Sequence, residues 1–359
     1  MSGATHAING AATWEASVRG LMIGLAMGDA IGSKASEIPA SGPLLAGAAS
    51  QLAAFTMEAL IRADGRLQRE GQQNQVWMFK EAYLRWAAVQ GYQPEKLKTH
   101  SRWYSQREGE VISPGGVGWP DGWLSRVPAM KERRGTSPST VKSLLAGAPI
   151  QSSGCQGLLR VLPIAAWRTV TVETTEDYAY CAAALTHSRV DGNAPIAVTN
   201  LRACLDSDAM PGRLVKPRGL EGDSPGWTFL EQKLPEIVAT TPCVPDVLKK
   251  LAPDRSAASA LCGGLYVALS FPDADTVMEA LEFAAWAPDG DSVAAIAGAF
   301  LGAVHGVDAF PIELVSRLEL GWVMDTLARD LALTLRENQA GTPKQAPVNP
   351  RWATAYPPY

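Results

Sequence analysis

Residues 289–306 read DGDSVAAIAGAFLGAVHG. Two carboxylates, Asp289 and Asp291, stand one residue apart, and the Ser292 hydroxyl follows as the chain enters a helix made mostly of alanine and glycine. Gly298, Gly302 and Gly306 recur at every fourth position, so one face of that helix carries almost no side chains. Such a face lets a neighbouring helix approach closely, which predicts a central, buried helix. Carboxylates at i and i+2 of a helix start can point into one small volume, and oxygen donors of that kind suit Mg²⁺ or another hard divalent cation. A plainer alternative is an ordinary helix start, with Asp291 or Ser292 as N-cap and Asp289 as solvated loop. Spacing alone favours the plainer one.

Working outward, the same small-residue chemistry appears near the N-terminus. Trp14 to Ile31 has helical apolar spacing at Val18, Leu21, Met22, Leu25 and Ile31, interleaved with Gly20, Gly24, Ala26 and Gly28. It ends on Gly28-Asp29-Ala30-Ile31-Gly32-Ser33. Further helices are expected over about 50–63 (with Ser50 as N-cap), 76–90, 141–145, 158–167, a segment ending near Thr186-His187, 194–205, 228–239, 257–269, 275–286 and 312–336. Residues 108–123 form a Gly/Pro loop carrying Trp119 and Trp123. Residues 1–12 read as a polar tail, and 338–359, with five prolines, as an irregular one. Strand-like alternation is nearly absent. The expectation is an all-α fold, one compact multi-helix domain over 13–337.

The composition bounds the function classes. The chain has 359 residues, 47% of them hydrophobic, and a formal charge of −4. It is long enough for a substantial core and carries no basic footprint for nucleic acid. No apolar run reaches membrane-spanning length, and the start MSGATHAING lacks a signal-peptide pattern, so a cytoplasmic location is expected. Five scattered cysteines (Cys155, Cys181, Cys204, Cys243 and Cys262) form no CxxC pair, which fits a reducing compartment and argues against structural zinc. The four histidines are too dispersed for a histidine metal centre.

Three stretches in order carry a resemblance. They are Gly28-Asp29-Ala30-Ile31-Gly32, Gly154-Cys155-Gln156-Gly157-Leu158-Leu159-Arg160-Val161-Leu162-Pro163, and Asp289-Gly290-Asp291-Ser292 with Ala295-Ile296-Ala297-Gly298. Phe55 to Ala63, Thr186-His187 and Gly306 to Pro311 support them. Together these resemble the ADP-ribosylglycohydrolase family, related to dinitrogenase-reductase-activating glycohydrolase, over most of residues 14–336. The resemblance implies an all-helical fold, two Mg²⁺ ions in a central cleft, and hydrolysis of the bond joining ADP-ribose to an acceptor, often a protein arginine. It places metal ligands at Asp289, Asp291 and Ser292, with Ser50 from an early motif of the form Thr-Asp-Asp-Ser/Thr. It also places the glycine turn of Gly154, Cys155, Gln156 and Gly157 near the substrate diphosphate. Asp29 borders the cleft or is a solvated acid at the helix end. Glu37 lies near the family's acid that covers or orients the ribose, though a plain loop residue is favoured there. The loop with Gly115, Gly116 and Trp119 borders the substrate, where Trp119 either stacks on adenine or anchors the loop. Cys155 reads as a small packing residue, Arg160 as structural, His187 as a helix C-cap, and Trp286 as a cleft wall or core.

One departure bears on mechanism. The early acidic pair falls on Ala48 and Ala49. Without those carboxylates a metal pair that holds the ribose hydroxyls and orients water is incomplete. Little turnover and weak or absent Mg²⁺ binding are expected. Two adjacent alanines at both ligand positions, beside an intact late motif, are what deliberate replacement of two aspartates leaves; natural decay into a pseudoenzyme is the other history. The competing function is a non-catalytic partner of ADP-ribose, or a bacterial immunity protein that binds an ADP-ribosylating toxin. A purely structural helical protein leaves Asp289-Gly290-Asp291-Ser292 unexplained.

Overall fold

The computed structural model describes residues 2–32, 38–70, 76–102, 118–135, 137–188, 192–210, 213–218, 220, 225–339 and 350–357. Its principal helices are α1 (Ser2–Ile31), α2 (Ala48–Glu70), α3 (Val76–Val89), α4 (Pro138–Ala146), α5 (Val172–Ala184), α6 (Asn193–Ser207), α7 (Ala257–Ser270), α8 (Val277–Ala284), α9 (Gly290–His305) and α10 (Gly321–Gln339). Among the described residues there is no strand, only three isolated bridges: Leu44 with Leu318, Ile150 with His187, and Gly154 with Ser256. The fold is all-α. No helix among these residues is long and apolar enough to cross a membrane.

The centre is the antiparallel pair α1–α9. A Cβ placed on Gly20 would lie 2.0 Å from the Gly302 carbonyl oxygen, and one on Gly24 2.0 Å from that of Gly298. The seam continues at Gly28 against Ala294 (2.1 Å) and Gly32 against Gly290 (2.4 Å). Backbone therefore meets backbone along four turns. Glycine in a helix interior costs about 1 kcal/mol relative to alanine. Here that cost is offset by dense contact, including the Cα–H···O approach common at such crossings. On the other side of α9, Val293 and Ile296 fill the space left by Gly263 and Gly264 of α7. α10 is tied to α1 by Arg19 and Asp325, 2.6 Å apart.

α2 lies on α3 through a fully buried ionic group. Arg62 meets Glu58 at 2.9 Å and Asp121 at 3.2 Å, and Arg85 meets Glu58 at 2.8 Å. Each charge has an opposite partner, the condition under which buried ions are tolerated. Gly122, at φ +83°, lies hard against Arg62 and Glu58, where a side chain would collide.

Several expectations change. The segment read as a polar tail continues the backbone of α1 back to Ser2, in keeping with its alanines and the absence of proline. α2 begins at Ala48, so Ser50 lies inside the first turn and is not its N-cap. The stretch 312–336 is two helices, Ile312–Arg317 and α10. The break arises because Leu44 pairs with this chain: its N–H donates to Arg317 O (2.8 Å) and its carbonyl accepts from Glu319 N–H (2.9 Å). The stretch 158–167 is a short helix, Gln156–Leu159, and a 3₁₀ segment, Leu162–Ala166, with Pro163 removing a donor. Pro245–Leu251 is a helix that periodicity missed. Within the proline-rich end, Pro350–Ala355 is helical, Trp352 packs on Tyr356 with ring centroids 4.8 Å apart, and Pro357 O accepts from buried Arg62 at 3.2 Å.

Candidate functional site

Three chain segments converge where α1 ends and α9 begins. Gly32 packs on Gly290 and Asp291, which sets the end of α1 against the start of α9. Asp29, one turn from the C-terminus of α1, turns its carboxylate to the start of α2. Its Oδ2 accepts from Gly47 N–H (2.8 Å), Ser50 N–H (3.0 Å) and the Ser50 hydroxyl (2.5 Å). Asp29 thus does the work of a cap for α2, at the positive end of that helix. Full burial still outweighs these bonds and, with the nearby Asp291 charge, pushes the Asp29 carboxyl up to about 6. Ala48 and Ala49 occupy the first turn beside it, both buried. The Ala48 N–H donates to Arg134 O at 2.8 Å.

At the start of α9, Asp289 holds the N-cap position but its side chain makes no cap bond. It is buried rather than solvated loop. Asp291 Oδ1 accepts from Ser292 N–H at 2.9 Å. Burial and the Asp289 charge hold the Asp291 carboxyl above its ordinary range.

The third segment is the turn 152–157. Cys155 lies 3.1 Å from Ser292 Oγ, and its thiol donates to Asp289 Oδ2 at 3.5 Å. Burial and the neighbouring carboxylates push this thiol up to about 12, so it stays protonated at neutral pH and is no nucleophile. Cys155 is more than packing: it ties the turn to the late acids. Across the turn runs the segment 254–257. Cys155 N–H donates to Arg255 O (3.1 Å) and Ala257 N–H to Ser153 O (2.8 Å). Gly154 N–H donates to Ser152 Oγ at 3.2 Å. The amides of Gly154 and Cys155 are therefore already engaged within the protein. Gly157 is small for a packing reason, since a Cβ there would lie 3.1 Å from the His187 ring. His187 is pushed down to about 3 by burial and by Arg160, and its Nδ1 pairs with Thr186 Oγ1 at 2.7 Å. Arg160 is structural: it donates to Ala182 O and Ala183 O and lies over the Tyr83 ring at 4.3 Å. Gln156 is half-buried with its Oε1 unpartnered.

The structure thus brings together Asp29, Ser50, Ala48, Ala49, Cys155, Asp289, Asp291 and Ser292. Trp119 is half-buried against the core. Trp286 is 54% exposed rather than core, with Lys249 Nζ 5.4 Å from its ring. Glu37, Gly115 and Gly116 lie outside the described residues. Sequence reasoning missed Arg255. Its guanidinium Nε lies 3.4 Å from Asp289 Oδ1, and its side chain is 85% exposed. No local pattern marks it, because the Gly154–Ser256 bridge brings it to the site from a hundred residues away.

These residues do not fit a pair of Mg²⁺ ions. The first turn of α2 offers two methyl groups where the resemblance calls for oxygen donors. Asp289 faces a protonated thiol and a guanidinium, and one Asp29 oxygen takes three hydrogen bonds. Mg²⁺ demands a near-octahedral oxygen shell, and a thiol is a poor neighbour for it. Among the described residues no set of three or more His, Cys, Asp or Glu is placed to hold a metal ion.

Comparison with known proteins agrees with the motif order. The family model described as ADP-ribosylglycohydrolase matches residues 11–341. The chain belongs to the ADP-ribosylglycohydrolase family. A search of curated proteins gives no match. A solved structure described as an ADP-ribosylglycohydrolase-related protein complex is similar at 18% identity, over 90% of this chain and 99% of that one, with a TM-score of 0.47. That likeness is too distant to bear on function. Family membership carries glycohydrolase chemistry in general.

Proposed function

We propose that this ADP-ribosylglycohydrolase family member binds an ADP-ribosyl group in the cleft between α1, α2 and α9 and does not hydrolyse its bond to the acceptor. The observation that carries this reading is the buried pair Ala48 and Ala49 at the start of α2, opposite intact Asp289, Asp291 and Ser292. Half of an acid set remains. It supplies hydrogen-bond acceptors for ribose hydroxyls but cannot complete the cation pair on which the family reaction depends. The remaining groups are not arranged to activate water. The Cys155 thiol stays protonated, and His187 is neutral and paired with Thr186.

The test compares the chain as it stands with Ala48→Asp/Ala49→Asp. Both are incubated with arginine-ADP-ribosylated protein, with and without Mg²⁺, and released ADP-ribose is measured. The expected result is no release by the unaltered chain and tight retention of ADP-ribose by calorimetry. Release by the unaltered chain overturns the proposal. Mg²⁺-dependent release by the double variant alone means that the two alanines are the whole lesion, as deliberate replacement would leave. No release by either, with binding retained, means that the loss extends beyond the two alanines and makes the chain a pseudoenzyme.

A further inference from the structure

The cleft poses an electrostatic problem. Three carboxylates, Asp29, Asp289 and Asp291, gather where a diphosphate-bearing ligand would enter. Two of the turn amides, those of Gly154 and Cys155, already have partners. An anion entering this space needs a cation, and the exposed Arg255 lies beside Asp289.

Three observations make Arg255 suited to the task. Its backbone is fixed, because its carbonyl accepts from Cys155 N–H and its neighbours form the bridge between Gly154 and Ser256. Its side chain is 85% exposed, so its head can meet a ligand without rearrangement of the core. Its ion-pair contact is Nε to Asp289 Oδ1 at 3.4 Å, and a guanidinium paired through Nε can still hold a phosphate by its terminal nitrogens.

Resting on the ADP-ribosyl-binding reading above, we infer that Arg255 is the phosphate-recognising residue of this cleft. The guanidinium neutralises Asp289 in the free protein and holds a phosphate of the ligand in the bound one. It supplies the positive charge that this acid cluster needs, and binding proceeds without a divalent cation.

The test is calorimetry in EDTA on the full chain, Arg255→Gln and Arg255→Lys, with ADP-ribose, inorganic pyrophosphate and adenosine as probes. Arg255→Gln is expected to weaken ADP-ribose and pyrophosphate about tenfold or more, as loss of a charge-assisted phosphate contact does. Arg255→Lys should fall between, since it keeps the charge and loses the fork. Adenosine, which has no phosphate, should bind all three alike. Unfolding temperatures should match, because the altered side chain is largely in solvent. Equal pyrophosphate and ADP-ribose affinities for the unaltered chain and Arg255→Gln overturn the inference. If the unaltered chain binds pyrophosphate through Arg255 but not ADP-ribose, the proposed function fails and the phosphate site stands. If it binds neither, both fail.

Discussion

Asp29 serves two helices at once. It stands in the last turn of α1 and caps the start of α2, and it does so inside the protein. Its folded-state value of about 6 lies above the roughly 4 of an unfolded aspartate. Between those values the native state binds more protons than the unfolded one, so its contribution to stability is full below about pH 4 and is lost as pH rises through 6. The loss is on the order of 3 kcal/mol. Asp29→Asn keeps the shape and an acceptor oxygen but cannot titrate. Denaturant unfolding of both proteins from pH 4 to pH 8 should therefore show the difference in stability moving steadily toward the Asn variant, with most of the change between pH 4 and 6.5. Parallel profiles would mean that Asp29 is charged throughout. Asp291 is raised as well and its charge is felt at Asp29, so the comparison is repeated in an Asp291→Asn background.

At the scale of elements, the glycine seam sets the geometry. Gly24→Ala would force a methyl to within 2.0 Å of the Gly298 carbonyl oxygen, a clash with backbone that no rotamer relieves. The expected loss is about 3 kcal/mol or more, at the upper end of overpacking effects. Gly118 has open space around it, and Gly118→Ala should stay within about 0.5 kcal/mol. Thermal unfolding of the two single variants checks both, and equal effects would refute the seam. This seam was legible in the sequence as glycines four apart, and so were the late acids and most long helices. The break at 318–320 was not, because it comes from pairing with Leu44 across the chain. Pro245–Leu251 was hidden by its shortness, and the helix after Pro350 by the proline content around it. Within the site, the acids and the alanine pair were readable. The tie from Cys155 to Asp289 and Ser292 and the position of Arg255 were not, since both depend on contacts more than a hundred residues apart in the chain.

For the molecule as a whole, the start of α2 is packed with two neutral side chains, Ala48 and Ala49. Placing acids there reverses the balance. In Ala48→Asp/Ala49→Asp, two carboxylates enter a buried turn already beside Asp29, and burying unpaired charge is strongly unfavourable. The double variant should melt several degrees below the unaltered chain in EDTA. It should regain much of that loss in millimolar Mg²⁺, because a cation that binds only the folded form stabilises it. Scanning calorimetry of both proteins in both buffers decides the matter. A variant as stable as its parent in EDTA would mean that the turn is open to water.

The backbone-to-backbone joining of α1 and α9 has one more consequence. Asp29 is carried on the first of these helices, Asp291 on the second and Asp289 at its N-cap, and between the two helices backbone packs on backbone. The two acid-bearing walls are parts of a single rigid strut, and no hinge lies between them. A ligand cannot draw those walls together. Adjustment falls to what is hung on the strut: the start of α2, the turn at 152–157, and the exposed Arg255. Scaffold and chemistry are therefore separable in this protein, and the side chains facing the cleft can be exchanged while the helices that hold them remain in place.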